Sequence, residues 1–203
     1  PEQIGLDPNT IFERQFFASA GLGYAYDTRD NRFYPRHGAL FELSGDLNFG
    51  LNDEAEDYQK FSGSFSTYQT WEWITYWTLA VRIGGEVTGG DDFTFWQGAH
   101  LGGMDNLRGF RKTRFTGRHS AYNNLELRFP LAKFFTPLAP MRIGLLALND
   151  IGRVWVNGED SQRWHHGAGY GIWFAAADAI VLSASHSFST EDNVIFAQLG
   201  MKF

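Results

Sequence analysis

Strict alternation of apolar and polar residues runs through most of this 203-residue chain and restricts it to half-buried β-strands. In residues 39–49, the odd positions from Phe41 to Phe49 are mainly apolar and the even positions from Glu42 to Asn48 are polar. The same pattern predicts nine strand segments, at residues 16–26, 39–49, 58–70, 76–86, 122–129, 141–156, 166–175, 180–187 and 194–203. The chain is therefore predicted to be all-β.

Two barrel architectures show this alternation, because a soluble barrel turns its apolar face inward and an outer-membrane barrel turns it outward to lipid. The polar face here consists of Gly, Ser and charges of both signs, which is typical of a narrow lumen where charges pair. Trp and Tyr cluster at strand ends, as at Trp71 and Trp155, which resembles an interfacial aromatic girdle. Long and short connections also alternate. We predict a transmembrane antiparallel β-barrel, integral to the bacterial outer membrane.

The number of strands is constrained by parity. Bacterial single-chain barrels normally have an even number of strands. Eight strands follow from the nine candidate segments if the first one, residues 16–26, is not a full member of the sheet or shares the wall with another chain. We expect eight strands, and the pattern alone leaves nine open.

Composition excludes several classes of function. A net charge of -6 argues against a nucleic-acid binder, which normally carries a basic face. The absence of Cys excludes a disulfide framework or a thiolate metal site, and no cofactor or metal is predicted. An outer-membrane lipid hydrolase is an alternative, but His186 and Ser185 are adjacent in a strand and face opposite sides. We predict no catalytic residues and no enzymatic activity.

The connection between the fourth and fifth segments, residues 88–119, is unusually long. Loops of such length without structure of their own are usually functional or disordered. This one contains LGGMDNLRGFRKTRF at residues 101–115, which is rich in Gly and Arg and is not low-complexity. We expect contacts with the rest of the chain to hold this long loop in place.

Four separated motifs are similar, in order and spacing, to those of the BamA-like outer-membrane superfamily, also called the bacterial surface antigen family. YDTRDNRFYPRHG at 26–38 resembles a turn between two mid-barrel strands. LGGMDNLRGF at 101–110 resembles the signature of the family's sixth extracellular loop, which folds into the lumen. LNDIGRVW at 148–155 resembles the strand motif facing that loop, and QLGMKF at 198–203 resembles the C-terminal assembly signal.

The resemblance covers residues 16–203, the C-terminal half of a family barrel, and leaves residues 1–15 as a segment of unknown role. Nothing matches the family's periplasmic POTRA domains. The resemblance implies a minimal barrel related to proteins that insert or translocate proteins across the outer membrane. Because the unmatched parts carry substrate capture and the lateral seam, a structural or anchor barrel with a plugged lumen is the alternative.

The resemblance also implies a lock that holds the long loop inside the barrel. An arginine forked onto two carboxylates would compensate the lost hydration of a loop pushed into the lumen. The alternation independently places both carboxylates on the polar face, and glycines would allow tight turns against the wall. The predicted lock residues are Arg108, Glu126, Asp150, Gly103, Gly109 and Phe110.

The C-terminal motif implies an assembly signal at Gly200, Met201 and Phe203, read by the outer-membrane assembly machinery during biogenesis. The other expected partners are membrane lipid and lipopolysaccharide. An eight-stranded barrel is just wide enough for side chains, so a long loop inside it should close it. A homodimer would provide a wider lumen, and the sequence leaves monomer and dimer, the capacity to conduct and the identity of a client open.

Overall fold

The computed structural model describes residues 14–72, 75–90, 94–137, 139–156, 158, 163–177 and 179–203. The predicted segment 1–15 lies almost entirely outside them. The strands are β1 (Phe17–Asp27), β2 (Gly38–Gly50), β3 (Tyr58–Glu72), β4 (Tyr76–Gly89), β5 (Ala99–Leu101), β6 (Phe115–Gly117), β7 (His119–Phe135), β8 (Pro140–Trp155), β9 (His165–Ala176), β10 (Ile180–Ser189) and β11 (Asn193–Leu199). The described residues contain no helix that is long and apolar enough to cross a membrane.

The main sheet has nine strands, not the eight that parity favours. Its order is β1-β2-β3-β4-β7-β8-β9-β10-β11, and every neighbouring pair is antiparallel. The first candidate segment is a full member, because β1 pairs with β2 from Phe17 opposite Gly50 to Asp27 opposite Leu40. The parity rule describes closed barrels, whereas in the described residues β1 pairs only with β2 and β11 only with β10.

The long loop contains a small sheet of its own, in which β5 and β6 pair antiparallel. Strand β7 extends beyond its predicted end through a register shift between Pro130 and Ala132. Proline cannot donate a hydrogen bond to the ladder, so a bulge at this position is expected. The strand ladder therefore tolerates the proline and continues to Phe135.

The two faces of the sheet follow the predicted alternation. Apolar side chains of the outer face are exposed, including Leu22 at 87% and Ile195 at 77%. Most side chains of the inner face are small, polar or charged, and Asn124, Arg128 and Asp150 are fully buried. A buried apolar cluster that includes Leu146 and Trp173 lies on the same face. A polar face that is buried while an apolar face is exposed is the arrangement of a protein whose outer surface meets lipid.

The last residues depart from the predicted face. The alternation places Met201 and Phe203 on the same face as Ile195 and Leu199, but β11 ends at Leu199. Gly200 has φ of 87°, a left-handed conformation that favours glycine, and there the chain turns inward. Met201 and Phe203 are buried inside the sheet, so their assignment to the outer face is wrong.

Segments from both ends of the sheet enter the interior, mainly beside β7 to β10, while the inner faces of β1 and β2 stay largely exposed. The turn end carries the β1–β2 connection, where Tyr34 packs against Trp173 of β9 with ring centroids 4.8 Å apart. The backbone N–H of Met201 donates to the carbonyl oxygen of Phe33 in the same connection, at 3.0 Å. The opposite end, the loop end, carries the long loop. Contacts between β9 and the connection next to β1 show that the sheet wraps around this interior.

The outer face should not tolerate charge. Leu145→Arg on the outer face of β8 should lower the free energy of unfolding by up to about 4 kcal/mol, the cost of an arginine at the midplane of the bilayer. Urea titration of the folded, heat-modifiable band in lipid vesicles measures this. Leu51→Arg, in the exposed β2–β3 connection, is the matched control and should leave the midpoint unchanged. Equal midpoints for both variants would contradict a lipid-facing outer surface.

Candidate functional site

The long loop forms a compact turn that presents one arginine to the inner face. The N–H of Leu107 donates to the carbonyl of Gly103 at 3.2 Å, and the N–H of Gly103 donates to the carbonyl of Phe110 at 3.1 Å. Gly103 and Gly109 have φ of 85° and 95°, which residues with a Cβ rarely adopt. Arg108 therefore lies at the tip of a tight turn that points toward β7 and β8.

Arg108 binds carboxylates on both of these strands. Its Nε and backbone N–H donate to Oδ2 of Asp150 at 2.8 and 2.9 Å, and its Nη2 donates to Oδ1 at 2.8 Å. Its Nη1 donates to Oε2 of Glu126 at 2.7 Å. These three residues, the charge cluster, have side-chain exposures of 3% or less. The planar guanidinium suits this geometry, since it can fork onto one carboxylate and still reach another.

Two further cations extend the charge cluster toward the turn end. Arg128 donates from Nε to Oε1 of Glu126 at 2.7 Å, and from Nη1 to the carbonyl of Pro35 at 3.0 Å. Lys202 places its Nζ 3.5 Å from Oδ2 of Asp150. Neither cation was among the predicted lock residues. The alternation places Arg128 on the polar face, but its partner Pro35 is remote in sequence and no local pattern indicates it.

The surroundings favour the ionised forms of Arg108 in the loop and of Asp192 opposite the loop. Burial lowers the pKa of Arg108, but Asp150 and Glu126 more than offset this and hold it above its usual value. The hydrogen bond from Arg111 lowers the pKa of Asp192 in the exposed β10–β11 connection, where Nε and Oδ2 lie 2.8 Å apart. Arg114 binds Glu191 of that connection at 2.7 Å. The loop is thus tied to the far side of the sheet.

Apolar contacts cover the charge cluster from the loop end. Leu101, Leu107 and Phe110 are fully buried together, with Phe115 packed against them. The Phe110 ring lies 5.2 Å from that of Phe115, which stacks on His165 at 3.7 Å. Water is therefore excluded from the loop end of the charge cluster, which strengthens the electrostatic interactions inside it.

The loop backbone can approach β9 closely because residue 167 of that strand is a glycine. A Cβ at Gly167 of β9 would overlap the carbonyl oxygen of Arg108, and a Cβ at Gly109 would meet the carbonyl of Phe188 at 2.9 Å. The sequence pattern identified Gly167 only as a small residue on one strand face, because the approaching backbone belongs to a distant segment. Its position opposite the turn shows why a side chain is excluded here.

A second wall contact involves Asn124, which the motifs did not indicate. Its Nδ2 donates to the carbonyl of Asn106 in the loop at 2.8 Å. Its Oδ1 accepts from Nε and Nη2 of Arg82 at 3.0 and 2.8 Å, and Arg82 also donates to the carbonyl of Asp105. The loop is consequently fixed to β4 and β7 on one side and to β8 on the other.

The structure brings together all three charged residues of the predicted lock, with Gly103, Gly109 and Phe110 around them. The other three predicted residues, Gly200, Met201 and Phe203, lie toward the turn end of the same interior. His186 faces outward, where its Nδ1 lies 3.4 Å from the hydroxyl of Tyr170. In the described part of the chain, no three His, Asp or Glu side chains are grouped to hold a metal.

An antiparallel sheet with an exposed apolar outer face, a buried polar inner face and a loop folded inward defines an outer-membrane type of β-barrel protein. The model of the Omp85 superfamily domain matches residues 13–196, and the chain therefore belongs to the Omp85 superfamily. This confirms the resemblance drawn from the four motifs.

A solved structure shows the same fold. The crystal structure of BamA from Haemophilus ducreyi lacking POTRA domains 1-3 is similar to this chain with a TM-score of 0.68 and 20% sequence identity. The match covers 90% of this chain and 42% of that one, so this chain spans less than half the length of the protein it resembles. The comparison with curated proteins gives no match. The prediction of an all-β barrel of the BamA-like type is confirmed.

Replacing the buried arginine should release the loop. Arg108→Met leaves two carboxylates without their main partner, and breaking a buried ion pair costs about 3–5 kcal/mol. We expect a lower urea midpoint and faster maleimide labelling of a reporter thiol introduced by Leu107→Cys, which is the only thiol in this Cys-free chain. Arg111→Met removes an exposed arginine of the same loop and should cost about 1 kcal/mol or less. The anchoring role is wrong if both variants label at the wild-type rate.

The glycine in the wall should be as important as the arginine. Gly167→Ala should displace the loop backbone, because the added Cβ overlaps the Arg108 carbonyl. The strand itself should persist, since alanine is accommodated in a β-strand. Gly23→Ala, on the inner face of β1, meets only the Leu43 carbonyl at 3.9 Å and is the matched control. Labelling of the Leu107→Cys reporter should rise in the first variant and not in the second.

Proposed function

We propose that this protein is an integral outer-membrane barrel of the protein-insertion type that acts at the edges of its sheet and not through its interior. Membership of the Omp85 superfamily and the BamA fold support the general class. The observation that carries the proposal is the occupied interior beside β7 to β10. The proposal also assigns the charge cluster the role of holding the long loop in place.

The long loop, the β1–β2 connection and the last four positions occupy the interior beside β7 to β10, so passage of an unfolded chain along those strands would require all three to leave. The inner faces of β1 and β2 stay largely exposed. An open polar hollow of about 480 Å³ lies beside β1 to β4, and its lining includes Glu42, Ser44, Ser64 and Arg82. This volume is that of a small-ligand pocket.

The edges of the sheet offer a different way to act on a client. In lipid, each unpaired backbone group costs several kcal/mol, so an open strand edge strongly favours pairing. Nine antiparallel strands make β1 and β11 run in the same direction. One incoming strand that runs the opposite way can pair antiparallel with either edge. An edge of this kind is a template for adding a strand.

The odd number of strands in the sheet also argues against the homodimer. A second copy in the same membrane orientation presents edges that run in the same direction, so a seam between two copies would be parallel. The wide lumen that motivated a dimer is also unnecessary to house the loop, because β7, β8 and β9 of one copy already surround Arg108. We propose that one copy is the functional unit.

Other partners follow from the surface and the assembly route. We propose that the apolar outer face contacts membrane lipid and lipopolysaccharide, since exposed leucine and isoleucine side chains cover it. We also propose that Gly200, Met201 and Phe203 act as an assembly signal for the outer-membrane assembly machinery before the barrel folds. After folding the two side chains of this signal are buried.

A plugged structural barrel is the second candidate, and the buried charge cluster favours it. A network with full hydrogen bonding rigidifies an interior. The hydrolase alternative gains no support from the described residues around His186, because Ser185 lies on the other face of β10 and the near neighbours of the imidazole are the rings of Tyr170 and Phe188.

Cross-linking the long loop to the sheet distinguishes these candidate functions. Arg111→Cys with Asp192→Cys allows a short bismaleimide to link the loop to the β10–β11 connection, where the native side chains lie 2.8 Å apart. Action at the edges predicts that cross-linked protein in vesicles still accelerates the folding of an unfolded client barrel, and that planar bilayers stay electrically silent.

Each other outcome assigns a different function. Loss of acceleration on cross-linking, with activity in the unlinked double variant, would support passage through the interior. No acceleration in any form would support the structural barrel. Activity confined to particles with the mass of two copies would restore the homodimer.

A further inference from the structure

The segment Gly200–Phe203, called here the inner segment, makes specific contacts along its whole length. The N–H of Gly200 donates to the carbonyl of Val181 at 2.7 Å, and its carbonyl accepts from the hydroxyl of Ser183 at 2.9 Å. The Phe203 carbonyl accepts from Nη2 of Arg128 at 3.0 Å. The side chain of Lys202 is 4% exposed beside Asp150. The inner segment is therefore fixed by specific hydrogen bonds and an ion pair, and not by apolar packing alone.

The inner segment and the long loop share Asp150 directly, and they are joined to Glu126 through Arg108 and, indirectly, through Arg128 of β7. Oδ2 of Asp150 accepts from Arg108 and lies 3.5 Å from Nζ of Lys202. Glu126 accepts from Arg108 through Oε2 and from Arg128 through Oε1. Because Arg128 also donates to the Phe203 carbonyl, each carboxylate connects the loop to the inner segment.

A third connection passes through Arg82. Its guanidinium lies 5.0 Å from the centroid of the Phe203 ring and donates to the carbonyl of Asp105 in the loop. The Phe203 ring also lies near Tyr68 of β3, with ring centroids 6.5 Å apart. The inner segment is thus linked to the loop through Asp150, Arg128 and Arg82.

We propose that the inner segment is an internal ligand that positions the long loop, with Lys202 and Arg128 as positioning residues, so that displacing either element loosens the other. Coupling has a direct physical source, since the two elements share the acceptor Asp150, and Arg128 links the Phe203 carbonyl to the carboxylate of Glu126 that Arg108 binds. It links the turn end of the sheet to the loop end without any change in the strands. The inference does not depend on the insertion activity, and it gives the residues of the assembly signal a second role after folding.

The coupling can be measured with one thiol at a time, because the chain has no native Cys. In full-length protein carrying Leu107→Cys, the added change Lys202→Met should raise the rate of maleimide labelling about 5-fold or more, the lower end of typical coupling between sites. Lys133→Met, which removes an exposed lysine of β7, is the matched control and should leave the rate unchanged. Equal rates in the Lys202→Met and Lys133→Met proteins would overturn the proposal.

The reciprocal measurement covers the case in which Lys202→Met fails to assemble. Binding coupling acts equally in both directions, so Arg108→Lys should raise the labelling of a Met201→Cys thiol by a similar factor. Asn48→Cys, buried on the inner face of β2 and outside the apolar cluster that contains Met201, reports global opening. The proposal holds if the Met201→Cys rate rises while the Asn48→Cys rate does not. It fails if the two rates rise together, since a general loss of stability would then explain both, and it fails if neither rises.

Discussion

The buried ion pairs of Arg108 with Glu126 and Asp150 are the interaction on which the interior of this protein depends. A charged group away from water is tolerated only when its partners satisfy it, and removing one partner leaves the others costly to bury. Every nitrogen of the Arg108 side chain donates to a carboxylate oxygen. A partial displacement of the loop would break several of these bonds together, so the loop is expected either to be seated or to be released as a unit.

Seating the arginine requires features of three separate strands. The two-residue period of β7 puts Glu126 and Arg128 on one face, and the antiparallel register puts Asp150 of β8 on the same face. Gly167 of β9 leaves the space that the Arg108 backbone needs. A side chain at that position would separate the guanidinium from both carboxylates. Binding of Arg108 in the interior therefore requires both carboxylates on one face of β7 and β8 and no side chain at position 167 of β9.

The sequence predicted the faces of the sheet well, because alternation is a local property of each strand. It placed Glu126 and Asp150 inside, and the family resemblance connected them with Arg108. It did not show that Gly200 ends β11 and turns the chain inward, since a glycine is equally compatible with a continuing strand. Nor did it indicate the contacts of Lys202 with Asp150, of Arg128 with Pro35 and Phe203, or of Asn124 with Asn106, because these partners are distant in sequence and depend on how the sheet wraps.

The number of strands in the sheet depends on which segments pair, and the alternation within a segment does not show this. Parity argued for eight strands in a closed barrel, yet β1 pairs with β2 along its whole length. In the described residues, nine antiparallel strands leave two edges that run in the same direction, and a bilayer penalises unpaired backbone groups at such edges. The occupied interior beside β7 to β10 narrows the route that a polypeptide could take through the lumen, while one strand of opposite direction can pair antiparallel with either edge. The proposed action on a client at the edges rests on these two constraints, because backbone hydrogen bonds at an edge would supply its driving force.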